Sequence, residues 1–599
     1  TRQPAPVARY SPEAPAELQR IIGKALCKDK EERYQVVKDL LIDLKALREE
    51  LIFEAKLERS TPGDLTAGGT AGVERPTINT AKGSREETGE LAAERSTLNG
   101  IGRHKIAFAA LGVALLALAG LGVYLLPGGG KSIDSIAIIP FTNVGADPDT
   151  EYLSDGIAES LISNLSQLPN LKVMSRSSAF RYKGRDIDPQ EVGRELKVQA
   201  VLTGQLVQRG DALAISLELV DSRDSRQLWG EQYKRKLSDV LAVQTEITRE
   251  ISDRLRLRLN GTEQKKLTKR YTENAEAYQL YLKGRFYWNK FTEEGLKKGI
   301  DYFSQAIEKD PNYASAYAGM ADCYNMLSVY VTPKEVFPRA KAAAVKALEL
   351  DETLAAAHIS LGAYKMFYGW DWAGADREVR LAMELNPSYA KSIELNTDYG
   401  DSNHYYCGLL DVMGRPDEAI VEMKRALDVD PLALVLYAEM GWSYYIARQY
   451  DQSIEQALKA IELDPSLVLA HAALGNDYEQ KKMYGQAISE LNKAKILSGN
   501  NPNFVAELGY GYAVSGQRSE AQKIIRELME RGSREYVDPC GIANIYVGIG
   551  ERDLAFEWLE RAYRDRSPGI AWLKAEPKYD PLRQDTRFAD LLRRIGLTP

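Results

Sequence analysis

Residues 432–465 read LALVLYAEMGWSYYIARQYDQSIEQALKAIELDP, and Pro431 and Pro465 stand 34 positions apart. Tyr437, Gly441, Tyr444, Tyr450, Ala457 and Ala460 alternate bulk with smallness along this stretch. Small residues let one helix approach the next closely, tyrosines fill the space between them, and proline ends the pair. The same slots recur downstream as Leu474, Gly475, Tyr478, Tyr484, Ala487, Leu491 and Ala494. They recur again as Leu508, Gly509, Tyr512, Gly516 and Ala521, and as Ala543, Tyr546, Gly550, Ala555 and Ala562. A fixed period of this length marks stacked helix pairs. Upstream copies are looser. One centres on Gly284 and Ala306, one on Tyr317, Tyr324, Ala340 and Ala347, one on His358, Gly362 and Ala382, and one on Cys407, Gly414, Ala419 and Ala426. About eight repeats are expected over 274–569, with 570–599 as a C-terminal cap and the stretch 388–401 as an extension.

The slot pattern resembles the tetratricopeptide (TPR) repeat. That resemblance implies an all-α solenoid whose concave groove binds protein or peptide ligands. His358 and His471 take the same slot, one held by large packing residues, so both are expected to pack rather than ligate a metal. The aromatic segments Tyr324–Tyr330 and Phe367–Trp372 are read as core, with a groove lining as the alternative.

Composition suits a folded chain of several domains: 599 residues, 44% apolar and 27% charged. The net charge of −7, from 78 basic and 85 acidic residues, argues against a nucleic-acid partner, whose binding face would be basic. Cys27, Cys323, Cys407 and Cys540 are scattered, as are His104, His358, His404 and His471, so neither a disulfide framework nor a zinc site is expected.

Residues 106–126, IAFAALGVALLALAGLGVYLL, carry no charge, and a helix of that length spans a ~30 Å hydrocarbon core. A single transmembrane helix is therefore expected here. Arg95, Arg103 and Lys105 precede it and only Lys131 follows closely, which places the N-terminal side in the cytoplasm and the rest in the periplasm or outside the cell. The GGGKS at Gly128–Ser132 is not a phosphate loop, because position 125 is Leu where the motif needs glycine.

Residues 14–47 carry two amphipathic helical patterns, Leu18, Ile21, Ile22, Ala25 and Leu26, then Val36, Val37, Leu40, Leu41, Leu44 and Leu47. The wording LQRIIGKALCKDKEERY resembles the last helices of bacterial serine/threonine protein kinase domains. The resemblance implies that 1–53 ends such a domain, with Arg33 pairing a glutamate that this sequence lacks. The glycine-rich loop, the strand lysine and both catalytic aspartates are also missing, so the chain itself has no complete kinase site. ATP and magnesium are implied only for the missing part. Residues 54–104, rich in Gly, Ala, Thr, Ser and Glu, read as a disordered juxtamembrane linker.

Between 133 and 260 the pattern is βαβαββα, an α+β arrangement of helices on one sheet. Its strands are Ser135–Phe141, Leu171–Met174, Ala200–Val207 and the alternating Ala212–Val220. The phrases IAIIPF, EYLSDGIAESLISNLSQL, VMSRSSAF and ELKVQAVLTGQL resemble the TolB N-terminal-like domain of large bacterial signalling proteins. Asp155, Arg176, Lys183 and Trp229 stand out as polar or aromatic candidates there, but caps, ion pairs and packing explain such residues more simply.

The fold class expected is therefore multidomain: one transmembrane helix, an α+β domain and an all-α TPR solenoid. No catalytic, cofactor-binding or metal-binding residue is assigned. The function expected is that of a membrane-anchored bacterial signalling protein that regulates an attached kinase. Its expected partners are proteins or peptides in the TPR groove, the membrane at 106–126 and a second copy of the chain. A membrane-anchored TPR adaptor without enzymatic activity is the alternative.

Overall fold

The computed structural model describes residues 133–145, 150–168, 171–185, 187–255, 272–385, 403–430 and 432–598. All belong to one compact unit within Ala114–Pro599. The sequence readings placed on 1–53, 54–104 and 388–401 lie outside the described residues, as does Pro431.

The first part is a sheet with helices. Strands β1 (Ser135–Ile138), β2 (Thr142–Asn143), β3 (Lys172–Val173), β4 (Ala200–Arg209), β5 (Ala212–Asp221) and β6 (Arg226–Lys236) form one sheet in the order β3-β1-β4-β5-β6. The pairings β1/β3, β1/β4 and β2/β4 are parallel, and β4/β5 and β5/β6 are antiparallel. Helices α1 (Glu151–Ser166), α2 (Arg176–Phe180), α3 (Pro189–Leu196) and α4 (Val240–Arg254) complete it. Asp188 caps α3 through the Gln190 amide, with Pro189 preset for the first turn. Alternation along β5 buries Leu213, Ile215, Leu217 and Leu219. Strands β2 and β6 and the five-residue α2 are additions to the expected order. In β6 only Trp229 and Tyr233 are buried, because it is an edge strand that presents Lys234, Arg235 and Lys236 to solvent. Charges on an edge strand discourage pairing with another chain.

The second part consists of eight helix pairs among the described residues: α5 (Ala275–Trp288) with α6 (Glu293–Lys309), α7 (Ala314–Leu327) with α8 (Pro333–Leu350), α9 (Ala355–Tyr364) with α10 (Trp372–Leu385), and α11 (Asn403–Val412) with α12 (Pro416–Val429). Then come α13 (Leu434–Ile446) with α14 (Tyr450–Leu463), α15 (Val468–Gln480) with α16 (Tyr484–Leu497), α17 (Pro502–Val514) with α18 (Arg518–Arg531), and α19 (Pro539–Ile549) with α20 (Arg552–Asp565). A last helix, α21 (Thr586–Arg594), follows two 3-10 turns at Pro568–Trp572 and Pro577–Leu582.

The tight corner inside each of the last five pairs has one recurring backbone requirement. Gly414, Arg448, Lys482, Gly516 and Gly550, each 34 positions from the next, all have positive φ. Glycine adopts that left-handed conformation freely, whereas Arg448 and Lys482 bear its steric cost. In the third pair the left-handed residue is Trp370, because a π-helical turn at Lys365–Gly369 adds a residue before the corner.

One correction to the expected architecture follows. Among the described residues no helix is long and apolar enough to cross a membrane. Over the described residues the fold class is that of an α+β domain joined to a TPR solenoid, and no helix there is of the transmembrane kind expected as a third part. The segment assigned to it, 106–126, lies outside the described residues.

Candidate protein-binding groove

In a TPR array the first helix of each pair lines the concave face, so the groove is built from α5, α7, α9, α11, α13, α15, α17 and α19. Both ends of that face are covered by parts of the same chain.

At the first pair the α+β domain sits on α5. Tyr278 bonds Ser160 at 3.0 Å and donates to Gln244. Arg285 and Asn289 donate to Glu159 at 2.9 and 3.0 Å. Burial alone would raise the Glu159 carboxyl, but Arg285 and Arg176 outweigh it and hold it below the usual range. Gly156 leaves room for Leu282, whose side chain would lie 2.9 Å from an added Cβ. The sheet core and the first helix pair thus form one continuous apolar cluster, from Ile136 through Leu282 to Phe303.

A second contact joins the same domain to the fourth pair. Ser175 and Ser178, at the start of α2, donate to the fully buried Asp430 at 2.5 and 2.8 Å. Burial pushes the Asp430 carboxyl up, against these hydrogen bonds. Asp430→Ala removes both acceptors and is expected to cost roughly 1–3 kcal/mol. Amide exchange in Arg176–Phe180 should then rise while α1 and α5 stay protected. Unchanged exchange in α2 would show that the contact restrains nothing.

From the fourth pair onward the groove is filled by the C-terminal segment. Trp572 meets Gly408 of α11 and packs edge-on against Trp442 of α13, with ring centroids 5.5 Å apart. Tyr445 donates to Glu576 at 2.6 Å, and Arg448 pairs with Asp580 at 2.7 Å. Lys578, 1% exposed, is surrounded by Asn476, Glu479, Glu507 and the ring of Tyr510. Its ammonium donates to Asn476 at 3.0 Å and to Glu507, and lies 3.8 Å from Glu479. Burial works against that ammonium, but Glu507, Glu479 and Glu576 prevail and raise its pKa. Burial pushes the Glu479 carboxyl well above the ordinary range. Beyond Lys578, Tyr579, Leu582, Phe588 and Leu591 join Cys540, Val547, Phe556 and Leu559 of the last pair in one core.

The aromatic segment Phe367–Trp372 holds the other end of this segment. Trp372 donates to the Ile595 carbonyl at 2.8 Å. Trp370 stacks on Tyr563, and Arg566 lies 3.9 Å over the Trp370 ring while donating to the Tyr368 carbonyl. Met366, Trp370 and Trp372 are buried in one core with Tyr579, Phe588 and Leu591, so the segment packs as core against the chain's own tail. Tyr324 and Tyr330 do not reach it: Tyr330 donates to the Phe291 carbonyl, and Arg339 lies over Tyr324.

The two histidines occupy equivalent places. Each ring bridges a glutamate of the partner helix and a carbonyl before its own helix: His358 to Glu378 and Glu352, His471 to Glu490 and Pro465. Both ring nitrogens of His358 therefore face acceptors, which suits the doubly protonated ring. Burial lowers its pKa, but the Glu378 and Glu352 contacts outweigh that and leave it raised. A folded-state pKa above the unfolded value contributes stability that is complete below the unfolded pKa and is lost as pH rises through the folded one. Accordingly, His358→Gln should lower the thermal midpoint more at pH 5.5 than at pH 8.5; equal losses would refute the charged bridge.

The four candidates in the α+β domain make ion pairs and packing contacts. Lys183 bonds Asp155 at 2.6 Å and Glu151 at 2.5 Å, Arg176 pairs with Glu159 and lies over Phe180, and Trp229 is buried against the sheet.

Comparison with known proteins divides the chain in the same way. Residues 131–250 match the family model of the second domain of HilA/YgeH-like transcriptional regulators, and residues 434–467 match that of the tetratricopeptide repeat. Among curated relatives, the putative adenylate cyclase 3 of Rhizobium meliloti is 35% identical over 187 residues, covering 31% of this chain and 32% of that protein. The transcriptional regulator HilA of Salmonella typhimurium is 22% identical over 310 residues, covering 51% and 52%. The chain therefore spans about a third and about half of the lengths of these relatives. Among solved structures, the TPR protein YrrB, described as having an unusual peptide-binding site, is 23% identical with a TM-score of 0.23 over 33% of this chain and 93% of that one. Pseudomonas aeruginosa pilF is 19% identical with a TM-score of 0.27 over 36% and 90%. The repeats are TPR repeats, and the chain carries the protein-binding type of scaffold they build.

Proposed function

We propose that this chain is the interaction half of a bacterial signalling protein, in which the α+β domain and the TPR array act as one rigid protein-binding body. The observation that carries this is the two-point attachment of the α+β domain, to α5 through Glu159 and Gln244 and to the fourth pair through Asp430. A domain fixed at two places more than a hundred residues apart does not swing freely, so binding anywhere on the array reaches it as a rigid displacement. The similarity of this region to parts of an adenylate cyclase and of a transcriptional regulator supports an input role that can be joined to different outputs.

The output proposed here is a serine/threonine kinase, on the resemblance of residues 14–47 alone. The reading frame upstream of Thr1 tests it directly, since a kinase there would show its catalytic-loop and metal-binding motifs. Protein binding is tested by affinity purification with the full chain and with a chain lacking 272–598. Proteins enriched only when the array is present are the expected result. An identical set from both baits would refute the scaffold reading.

A further inference from the structure

The segment Pro568–Leu582 lies in the groove in the manner of a bound peptide. It has no α-helix or strand, only two 3-10 turns. Its contacts reach several pairs: Trp572 touches the fourth and fifth, Glu576 the fifth, Lys578 the sixth and seventh and Tyr579 the eighth, with Asp580 returning to Arg448 of the fifth. The hydrogen-bond partners of Glu576 and Lys578 come from the helices that line the groove and are 71 to 131 residues away in sequence. No local chain geometry dictates these contacts; they are side-chain recognition.

The groove's chemistry is specific. An aromatic wall of Trp442 and Tyr445 receives a tryptophan. Six residues on, a closed pocket of Asn476, Glu479, Glu507 and Tyr510 receives one ammonium. The 1%-exposed Glu479 side chain lies 3.8 Å from that ammonium and completes the acidic lining of the pocket.

We infer that the C-terminal segment is a resident ligand of the array's own groove, and that the groove takes in its place an extended protein segment presenting an aromatic residue and, six positions later, a lysine. This rests on the protein-binding reading above and names the partner chemistry of the same array. An incoming segment of that pattern restores the contacts it displaces. What opposes it is the tether, which keeps the resident segment at an effective concentration on the order of millimolar.

The test uses the full chain and a fluorescein-labelled peptide of the chain's own sequence PGIAWLKAEPKYDPLR, residues 568–583. Trp572→Ala or Lys578→Met in the chain weakens the resident segment without touching the groove. Fluorescence anisotropy should show the peptide binding either variant at least about tenfold tighter than the unmodified chain, and a peptide carrying Lys578→Glu losing at least that factor. Equal affinity for variant and unmodified chain, or no discrimination against the Lys578→Glu peptide, overturns the inference. Loss of helical circular dichroism in both variants also overturns it, because the tail would then be a structural strut. If the inference falls while array-dependent partners are still captured, those partners bind elsewhere on the array; if capture fails too, the protein-binding reading falls with it.

Discussion

Lys578→Met is expected to weaken the docking of the C-terminal segment by about 3–5 kcal/mol, the range for removing one partner of a buried ion pair. The methionine keeps most of the stem's packing, so the loss isolates the charge. Glu507, Glu479 and Glu576 would face one another with no cation between them. Two further results separate this from a packing defect. The loss should shrink as pH falls, because the carboxyls take up protons in place of the ammonium. The double variant Lys578→Met with Glu507→Gln should lose less than the sum of the two single variants, the signature of direct coupling. A loss that is independent of pH and additive with Glu507→Gln would show that Lys578 acts only through its hydrocarbon stem.

Asp477→Asn should do the reverse and stabilise the chain at alkaline pH. Asp477 is fully buried in α15 and accepts one hydrogen bond, from Ser453 at 2.6 Å. Among the described residues its Oδ1 meets no donor. Burial pushes its pKa up to about 8. Because the folded value is raised, the stabilising contribution is complete below the unfolded pKa and disappears as pH climbs from the ordinary carboxylate range through about 8. Asparagine keeps an acceptor for Ser453 and never ionises. The variant should therefore gain on the order of a few kcal/mol at pH 8.5 and little at pH 5. Asp322 repeats the motif with Ser360, its pKa pushed up to about 6 by burial, so the unmodified chain should itself unfold at lower temperature at pH 8.5 than at pH 5.5. A variant no more stable than the parent at pH 8.5 would mean that Asp477 is solvated and ionised in the native state.

The repeats could be read from the sequence because their requirements are local and periodic. Gly441, Gly475 and Gly509 sit where a side chain would meet the opposing helix, and the left-handed corners recur every 34 residues. The shared slot of His358 and His471 was legible for the same reason, although their glutamate and carbonyl partners were not. Strand β6 escaped notice because RQLWGEQYKRK carries only two buried side chains and no period-two alternation. The occupied groove was hidden for a different reason. The sequence marks 570–599 only as a C-terminal cap and gives no sign that Lys578 and Tyr579 are among the most buried of the described side chains. The hydrogen-bond partners of Glu576 and Lys578 lie 71 to 131 positions away on three different helix pairs, and no spacing rule connects them. The Phe367–Trp372 segment looked like core or groove lining; its actual contact, with Ile595, is again a long-range one.

The account rests on the groove being filled by the chain's own C-terminus, and hydrogen–deuterium exchange of the intact chain tests that most directly. The amides of Ile570–Leu597 that donate within the tail, such as Leu573, Tyr579 and Ile595, should be protected as strongly as those of α13, α15 and α17. Exchange of the tail at the rate of an unfolded peptide, with those three helices still protected, would show an open groove and contradict the account.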